Sequence, residues 1–276
     1  MAIDLLRQTR DYFKAQSIPE VDASILLEHL LQCSRSEVQL KLLRMSEEAV
    51  NEVDRNLRKL VLRRQNGEPV QYIVGRAPFR YLEYHVGPGV LIPRPETESL
   101  VSLVLDAVKS LADMSVVDLG SGSGCIAISL ASERPNLTVT AVENSKGALI
   151  WLHKNMSELA PQVKIVEANV KSACKGEEFD VVVANPPYIP LGEQLSIEVR
   201  KEPSIALFGG SSDGMAIPEQ FIHSALRLLK SGGLLALEHH ETQSAMIRQI
   251  VQDHFVEIQS INDLTGRPRF TMARKV

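Results

Sequence analysis

Apolar positions recur at three- and four-residue spacing along the first 66 residues: Leu5, Leu6, Tyr12 and Phe13, then Ile25, Leu26, Leu27, Leu30 and Leu31. That period puts an apolar stripe on each of several helices. The stretch MSEEAVNEVDRNLRKLVLRRQNGEP (45–69) marks both ends of one helix. Ser46 is suited to the N-cap, acids fill the first turn, cations fill the last, and Gly67 and Pro69 stop it. Five cations fall between Arg55 and Arg64. They read as a solvated face, with a docking surface for a partner as the sharper reading.

After Gly67 the pattern changes. YIVGRAPFRYLEYHVGPGVLIPRPETE (72–98) is dense in Gly, Pro and aromatics and reads as a connector or hairpin of short strands. From Glu96 onward, short apolar runs alternate with helical periods. Strands are predicted near 115–119, 138–143, 163–168, 179–184, 233–238, 256–261 and 268–274, with helices between most of them. Such alternation specifies an α/β fold with a mostly parallel sheet and right-handed crossovers. The last two strands are joined by NDLTGRP, a hairpin-like ending. The expected organisation is a small helical domain over 1–70, a β-hairpin or linker over 71–95 and an α/β domain over 96–276.

Composition adds exclusions. The chain has 276 residues, 44% hydrophobic and 23% charged, with a net charge of −4. This is ordinary globular composition without a basic field to gather nucleic acid. Residues 1–80 hold 13 Lys/Arg against 11 Asp/Glu, leaving 17 against 23 for the remainder. Cys33, Cys125 and Cys174 are too far apart for a metal knuckle and suit free thiols in a reducing cytoplasm. No run approaches the roughly 20 apolar residues of a membrane span, and the charged start MAIDLLRQTRDYF is unlike a signal peptide. A cytoplasmic protein, monomeric by default, is expected.

In an open parallel sheet, ligands bind beyond the carboxyl ends of the strands, where strand order reverses. Three strand ends carry suitable chemistry. SVVDLGSGSGCIAISLA runs from an apolar strand through Asp118 into Gly120, Ser121, Gly122, Ser123 and Gly124, then an apolar helix. Glycines there allow a sharp turn and close backbone approach to a ligand, and the helix start offers unpaired N–H groups. The pattern lacks the last glycine of G-x-G-x-x-G, since Cys125 stands there, which argues against a dinucleotide oxidoreductase. Taken alone, the loop is also compatible with a plain tight β–α turn. LTVTAVENS ends the next strand at Glu143, whose carboxylate can accept hydrogen bonds from two vicinal ribose hydroxyls. The bland alternative is an acid at a helix start. VKIVEANVKS places Asn169 and Val170 where an adenine would lie. Loop and Glu143 together predict a nucleoside-bearing cofactor.

FDVVVANPPYIP (179–190) drives a buried strand into two prolines. Pro186 and Pro187 lack N–H groups and leave their carbonyls as acceptors, Asn185 adds a side-chain oxygen, and Tyr188 adds an aromatic face. This set suits a clamp for a planar NH₂ group. Two acceptors take its hydrogens, a ring lies against its plane, and the lone pair is aimed at an electrophile. A diproline turn that merely stops a strand is the bland reading. His239 and His240 lack a third ligand at suitable spacing, so no metal is expected.

DLGSGSG followed by NPPY resembles class I methyltransferases that use S-adenosyl-L-methionine on amide or amine nitrogens. More narrowly, IPRPETE, NPPYIP, EPSIALFGGSSDGM and LLALEHH in this order resemble the bacterial family that methylates N5 of the glutamine in the GGQ loop of class I peptide chain release factors. The resemblance runs from about Val70 to Arg269. It implies a Rossmann-like, seven-stranded, mostly parallel sheet with an antiparallel C-terminal hairpin, and a helical N-terminus that docks the release factor. It implies S-adenosyl-L-methionine as cofactor, S-adenosyl-L-homocysteine as product, and no metal, direct nucleic acid or membrane. Gly120 to Gly124 would line the methionine and ribose, Glu143 would hold the ribose hydroxyls, and Asn169 and Val170 would flank adenine. Asn185, Pro186, Pro187 and Tyr188 would grip the glutamine, with Phe79 nearby. In that family Asp is usual where Asn169 stands. The rival reading is a nucleic-acid adenine-N6 methyltransferase, which needs the same clamp together with base flipping and a basic channel.

Overall fold

The computed structural model describes residues 4–108 and 113–276. The chain forms two compact units: residues up to Arg76 with Leu195–Lys201, and Ala77–Gln194 with Glu202–Val276.

The first unit contains helices α1 (Asp4–Ala15), α2 (Val21–Leu31), α3 (Val38–Arg44), α4 (Glu47–Gln65) and the short α5 (Val70–Val74). The Ser46 side chain caps α4 by accepting a hydrogen bond from the Ala49 N–H at 3.3 Å. Phe13, Leu26, Leu27, Leu42 and Leu57 bring the apolar stripes together in one core. The α4 cations divide. Arg55, Arg58, Lys59 and Arg63 are exposed, whereas Arg64 is 4% exposed and departs from the expected solvated face. Its guanidinium donates to Asp22 Oδ2 and to Glu198 Oε2, both at 2.7 Å. Burial still raises the Asp22 carboxyl, against the pull of Arg64.

The second unit opens at Ala77, inside β1 (Arg76–Phe79), which forms a hairpin with β2 (Leu82–His85), and continues into α6 (Pro95–Val108). Helix α5 takes the front of the stretch read from sequence as short strands and turns. The main sheet is built from β3 (Met114–Leu119), β4 (Leu137–Glu143), β5 (Lys164–Glu167), β6 (Phe179–Ala184), β7 (Leu229–Glu238), β8 (Phe255–Asn262) and β9 (Pro268–Lys275). Its order is β5-β4-β3-β6-β7-β9-β8. The first five strands in that order run parallel, and β9 and β8 are antiparallel.

Helices α7 (Cys125–Glu133), α8 (Lys146–Leu159), α9 (Ala216–Leu228) and α10 (Ser244–Val251) cover the sheet. Alternation along the strands explains why both faces are closed. Val116, Val181 and Val183 pack with α6, α7 and α8, while Val117, Leu119 and Val182 pack with α9 and α10. Strands buried on both sides must be apolar throughout. Strand order reverses between β3 and β6, which fixes where a crevice opens.

Candidate active site

Register alone aligns the site. Leu119 pairs with Val142 of β4 and with Ala184 of β6, and Ala184 pairs with Leu237 of β7. The residues that follow (Gly120, Glu143, Asn185 and Glu238) therefore come off one sheet edge side by side. A cavity of about 240 Å³ lies at this edge, lined among others by Gly120 to Ser123, Glu143, Asn169, Val170 and Asn185. Sequence reasoning predicted each of these.

The loop after β3 is held by its own backbone. Gly120 and Ser121 N–H groups donate to Val142 O, and Gly124 N–H donates to Ser121 O. Gly124 caps α7 with φ +84°, and a Cβ there would lie 2.8 Å from Leu152 Cδ1. Glycine is needed on both counts. Glu143 is 7% exposed and accepts three backbone N–H groups, from Gly122 on Oε2 and from Asn144 and Ser145 on Oε1. Two carboxylate oxygens offer about four lone-pair positions, so acceptor capacity remains.

Asn169 departs in detail from a free adenine reader. Its Oδ1 accepts the Lys171 N–H at 3.0 Å, so that oxygen is already engaged within its own turn. Asp118 carried no role in the sequence reading. It is fully buried, and its carboxylate oxygens have only poorly aligned contacts with Ser121 and the Ala127 backbone. Burial raises this carboxyl to about 7; Ser121 and the Ala127 backbone oppose the shift and Glu143 adds to it. A glycine loop open to the cavity, with the acceptor capacity left on Glu143 beside it, suits a ligand that carries positive charge and hydroxyls. S-adenosylmethionine has both, so the residues fit it.

Asn185 donates from Nδ2 to Thr97 Oγ1 at 3.0 Å, and Thr97 donates to Glu238 Oε2 at 2.8 Å. Tyr188 OH donates to the other oxygen, Oε1, at 3.2 Å. Glu238 is fully buried, and burial raises it to about 7 against the Thr97, Tyr188 and Arg269 contributions, with Glu96 adding to the rise. The Arg269 guanidinium lies 5.9 Å from the Tyr188 ring centroid.

Pro187 and Thr97 line the cavity with Asn185, whereas buried Pro186 and half-buried Tyr188 are not part of its wall. Behind them, Gln243 Nε2 donates to Tyr188 O and Asp213 O, and Gly209 N–H donates to Ile189 O. The GGSSDGM segment thus buttresses the diproline turn.

Phe79 is a correction. It is 1% exposed, meets Tyr84 edge-on at 6.0 Å, belongs to the core under α6 and α7, and does not line the cavity. Thr97 and Glu238 were missed as individual residues, although both sit inside segments, IPRPETE and LLALEHH, that the sequence marked. No group of three or more metal-ligating side chains occurs among the described residues.

Comparison with known proteins identifies the family. Residues 97–201 match the Methyltransferase small domain family, and residues 4–75 match the PrmC N-terminal domain. The release factor glutamine methyltransferase of Corynebacterium glutamicum is 39% identical over 94% of this chain and 92% of its own length. That of Bifidobacterium longum is 38% identical over 98% of both. Among solved structures, the Thermus thermophilus 16S rRNA N2 G1207 methyltransferase, in complex with AdoMet and guanosine, aligns with a TM-score of 0.53 at 20% identity, over 73% of this chain and 50% of that one. A methyltransferase from Pyrococcus furiosus aligns with a TM-score of 0.52 at 19% identity, over 70% and 88%. Those two likenesses establish the fold. The near full-length identity establishes more: this chain is an S-adenosylmethionine-dependent methyltransferase and belongs to the release factor glutamine methyltransferase family.

Proposed function

We propose that this chain methylates N5 of the glutamine in the GGQ loop of class I release factors, with Asn185 and its neighbours as the amide clamp. The observation that carries the reading is one cavity walled jointly by the glycine loop, Glu143 and Asn185. Cofactor chemistry and an amide acceptor are thereby brought to one sheet edge.

Gly120 to Gly124 would hold the methionine and ribose portions, Glu143 the ribose hydroxyls, and Asn169 and Val170 the adenine. When bound, S-adenosylmethionine supplies an electrophilic methyl group. A carboxamide nitrogen is a weak nucleophile because its lone pair is delocalised into the carbonyl. Asn185 Oδ1 and the Pro186 carbonyl would accept its two hydrogens, favour rehybridisation and stabilise the positive charge that builds on nitrogen. Pro187 shapes the wall, and Tyr188, held behind it by Glu238, would support the amide plane once the substrate enters. Orientation of this kind can supply up to about 7–11 kcal/mol of a barrier.

The helical unit is assigned to docking the protein substrate; the exposed α4 stripe of Arg55, Lys59 and Leu62 supports this. A monomer in the cytoplasm, working without a metal, completes the reading. Its thiols are free, and no helix among the described residues is long and apolar enough to cross a membrane. Methylation of adenine is disfavoured by the excess of acids after residue 80.

The test is mass spectrometry of the GGQ-containing peptide after incubation of a release factor with enzyme and cofactor. A gain of one methyl on the glutamine is expected. Asn185→Ala should bind S-adenosylhomocysteine normally yet lose at least about 100-fold in rate. A short GGQ peptide should show a higher KM than the intact factor. An unmodified glutamine, or a fully active Asn185→Ala, would refute the reading.

A further inference from the structure

We infer that Glu238, acting through Thr97, fixes which end of the Asn185 carboxamide faces the cavity, so that both are positioning residues for methyl transfer. The inference rests on the clamp reading of Asn185. A primary amide is nearly symmetric in shape, and a half-turn exchanges its oxygen for NH₂ with little change in packing. For the clamp the exchange is fatal. The flipped group would offer hydrogens to a substrate NH₂ that itself has only hydrogens to give.

Direction is imposed by counting protons along the chain of hydrogen bonds. Burial raises Glu238 to about 7, so above that pH the carboxyl is ionised and can only accept. Glu238 is fully enclosed and faces two hydroxyls, Thr97 Oγ1 at 2.8 Å and Tyr188 OH at 3.2 Å. The single Thr97 hydroxyl hydrogen is therefore spent on Glu238, and Thr97 shows lone pairs alone to its other neighbour. Asn185 must answer with Nδ2, 3.0 Å away, which turns Oδ1 from Thr97. The same carboxylate holds the Tyr188 hydroxyl. One buried acid thus sets two members of the clamp, although Thr97, Asn185 and Glu238 come from α6, the end of β6 and the end of β7. A buried, charged, hydrogen-bonded group is costly to maintain, and a packing role alone would be met by leucine or methionine.

The test compares Thr97→Val, Thr97→Ser, Glu238→Gln and Asn185→Ala in the full chain at pH 8, where Glu238 is ionised, with intact release factor as substrate. Thr97→Val keeps shape and removes the relay; Glu238→Gln replaces one of two acceptors by a donor and forces one hydroxyl to reverse. Both should lower kcat roughly 10- to 100-fold, as misorientation does, with KM and S-adenosylhomocysteine affinity within about 2-fold of the parent. Thr97→Ser should recover most of what Thr97→Val loses. Melting temperature, read on each variant, separates misfolding from misorientation, and Thr97→Val carries the test if Glu238→Gln does not fold. Unchanged kcat in Thr97→Val, a Ser variant as poor as the Val variant, or a loss shared equally by kcat and cofactor affinity would overturn the inference. If Asn185→Ala is itself fully active, the clamp reading falls first; if it is inactive while Thr97→Val and Glu238→Gln are not, this inference alone falls.

Discussion

Asp118 shows how a single residue can work against the fold that contains it. Its carboxyl is fully buried, and burial raises it to about 7 although Ser121 and the Ala127 backbone oppose the shift. In the unfolded chain an aspartate titrates near ~4. Between those values the folded state keeps a proton that the unfolded state has released. Its contribution to stability is therefore complete below about 4, declines as pH rises through about 7, and is flat above that. Asp118→Asn keeps the shape and removes the charge. We expect the variant to melt at least ~3 °C above the parent at pH 8, with the gap narrowing at pH 5; scanning calorimetry at both values decides it. Other titrating groups cancel in the comparison.

Among the elements, strands read most clearly from sequence, because a two-sided apolar run admits few other structures. Observed β3, β4, β5, β6, β8 and β9 begin within one residue of expectation, whereas β7 begins at Leu229, ahead of the expected 233. Ser46 and Gly67 likewise mark α4. The glycine loop, Glu143 and Asn185 were legible because their chemistry is local to a strand end. Thr97 and Glu238 were not, since their meaning lies in a contact spanning 141 positions, and neither residue type announces a function. Phe79 misled for the same reason: a strand aromatic shows its face only in the folded sheet. The GGSSDGM turn was marked as a motif without a role, and the structure supplies one. Gly214 has φ +71°, and a Cβ there would fall 2.2 Å from Tyr188 O. Gly214→Ala should cost about 2–4 kcal/mol of stability through strain and overpacking. It should also lower kcat by displacing the diproline turn. Thermal melts and initial rates check both halves of that expectation.

On the scale of the whole molecule, Arg64 is the joint of the helical unit. It is buried between Asp22 and Glu198, and truncation would leave Asp22 enclosed and unpaired. Breaking such a pair costs about 3–5 kcal/mol. Arg64→Ala should accelerate hydrogen exchange in α2, α4 and residues 195–201 and leave β3, β4 and β6 protected; mass spectrometry of exchanged peptides resolves the two groups. Equal acceleration across the sheet would contradict the division into units.

The seven residues Leu195–Lys201 belong to the helical unit although they are encoded beyond β6. Glu198 follows Arg64 by 134 positions. A ribosome making this chain therefore releases the guanidinium long before its second carboxylate. The domain begun first is completed only after most of the polypeptide has left the exit tunnel, and a nascent chain cut short before that point would carry a helical head with one ionic bond still open.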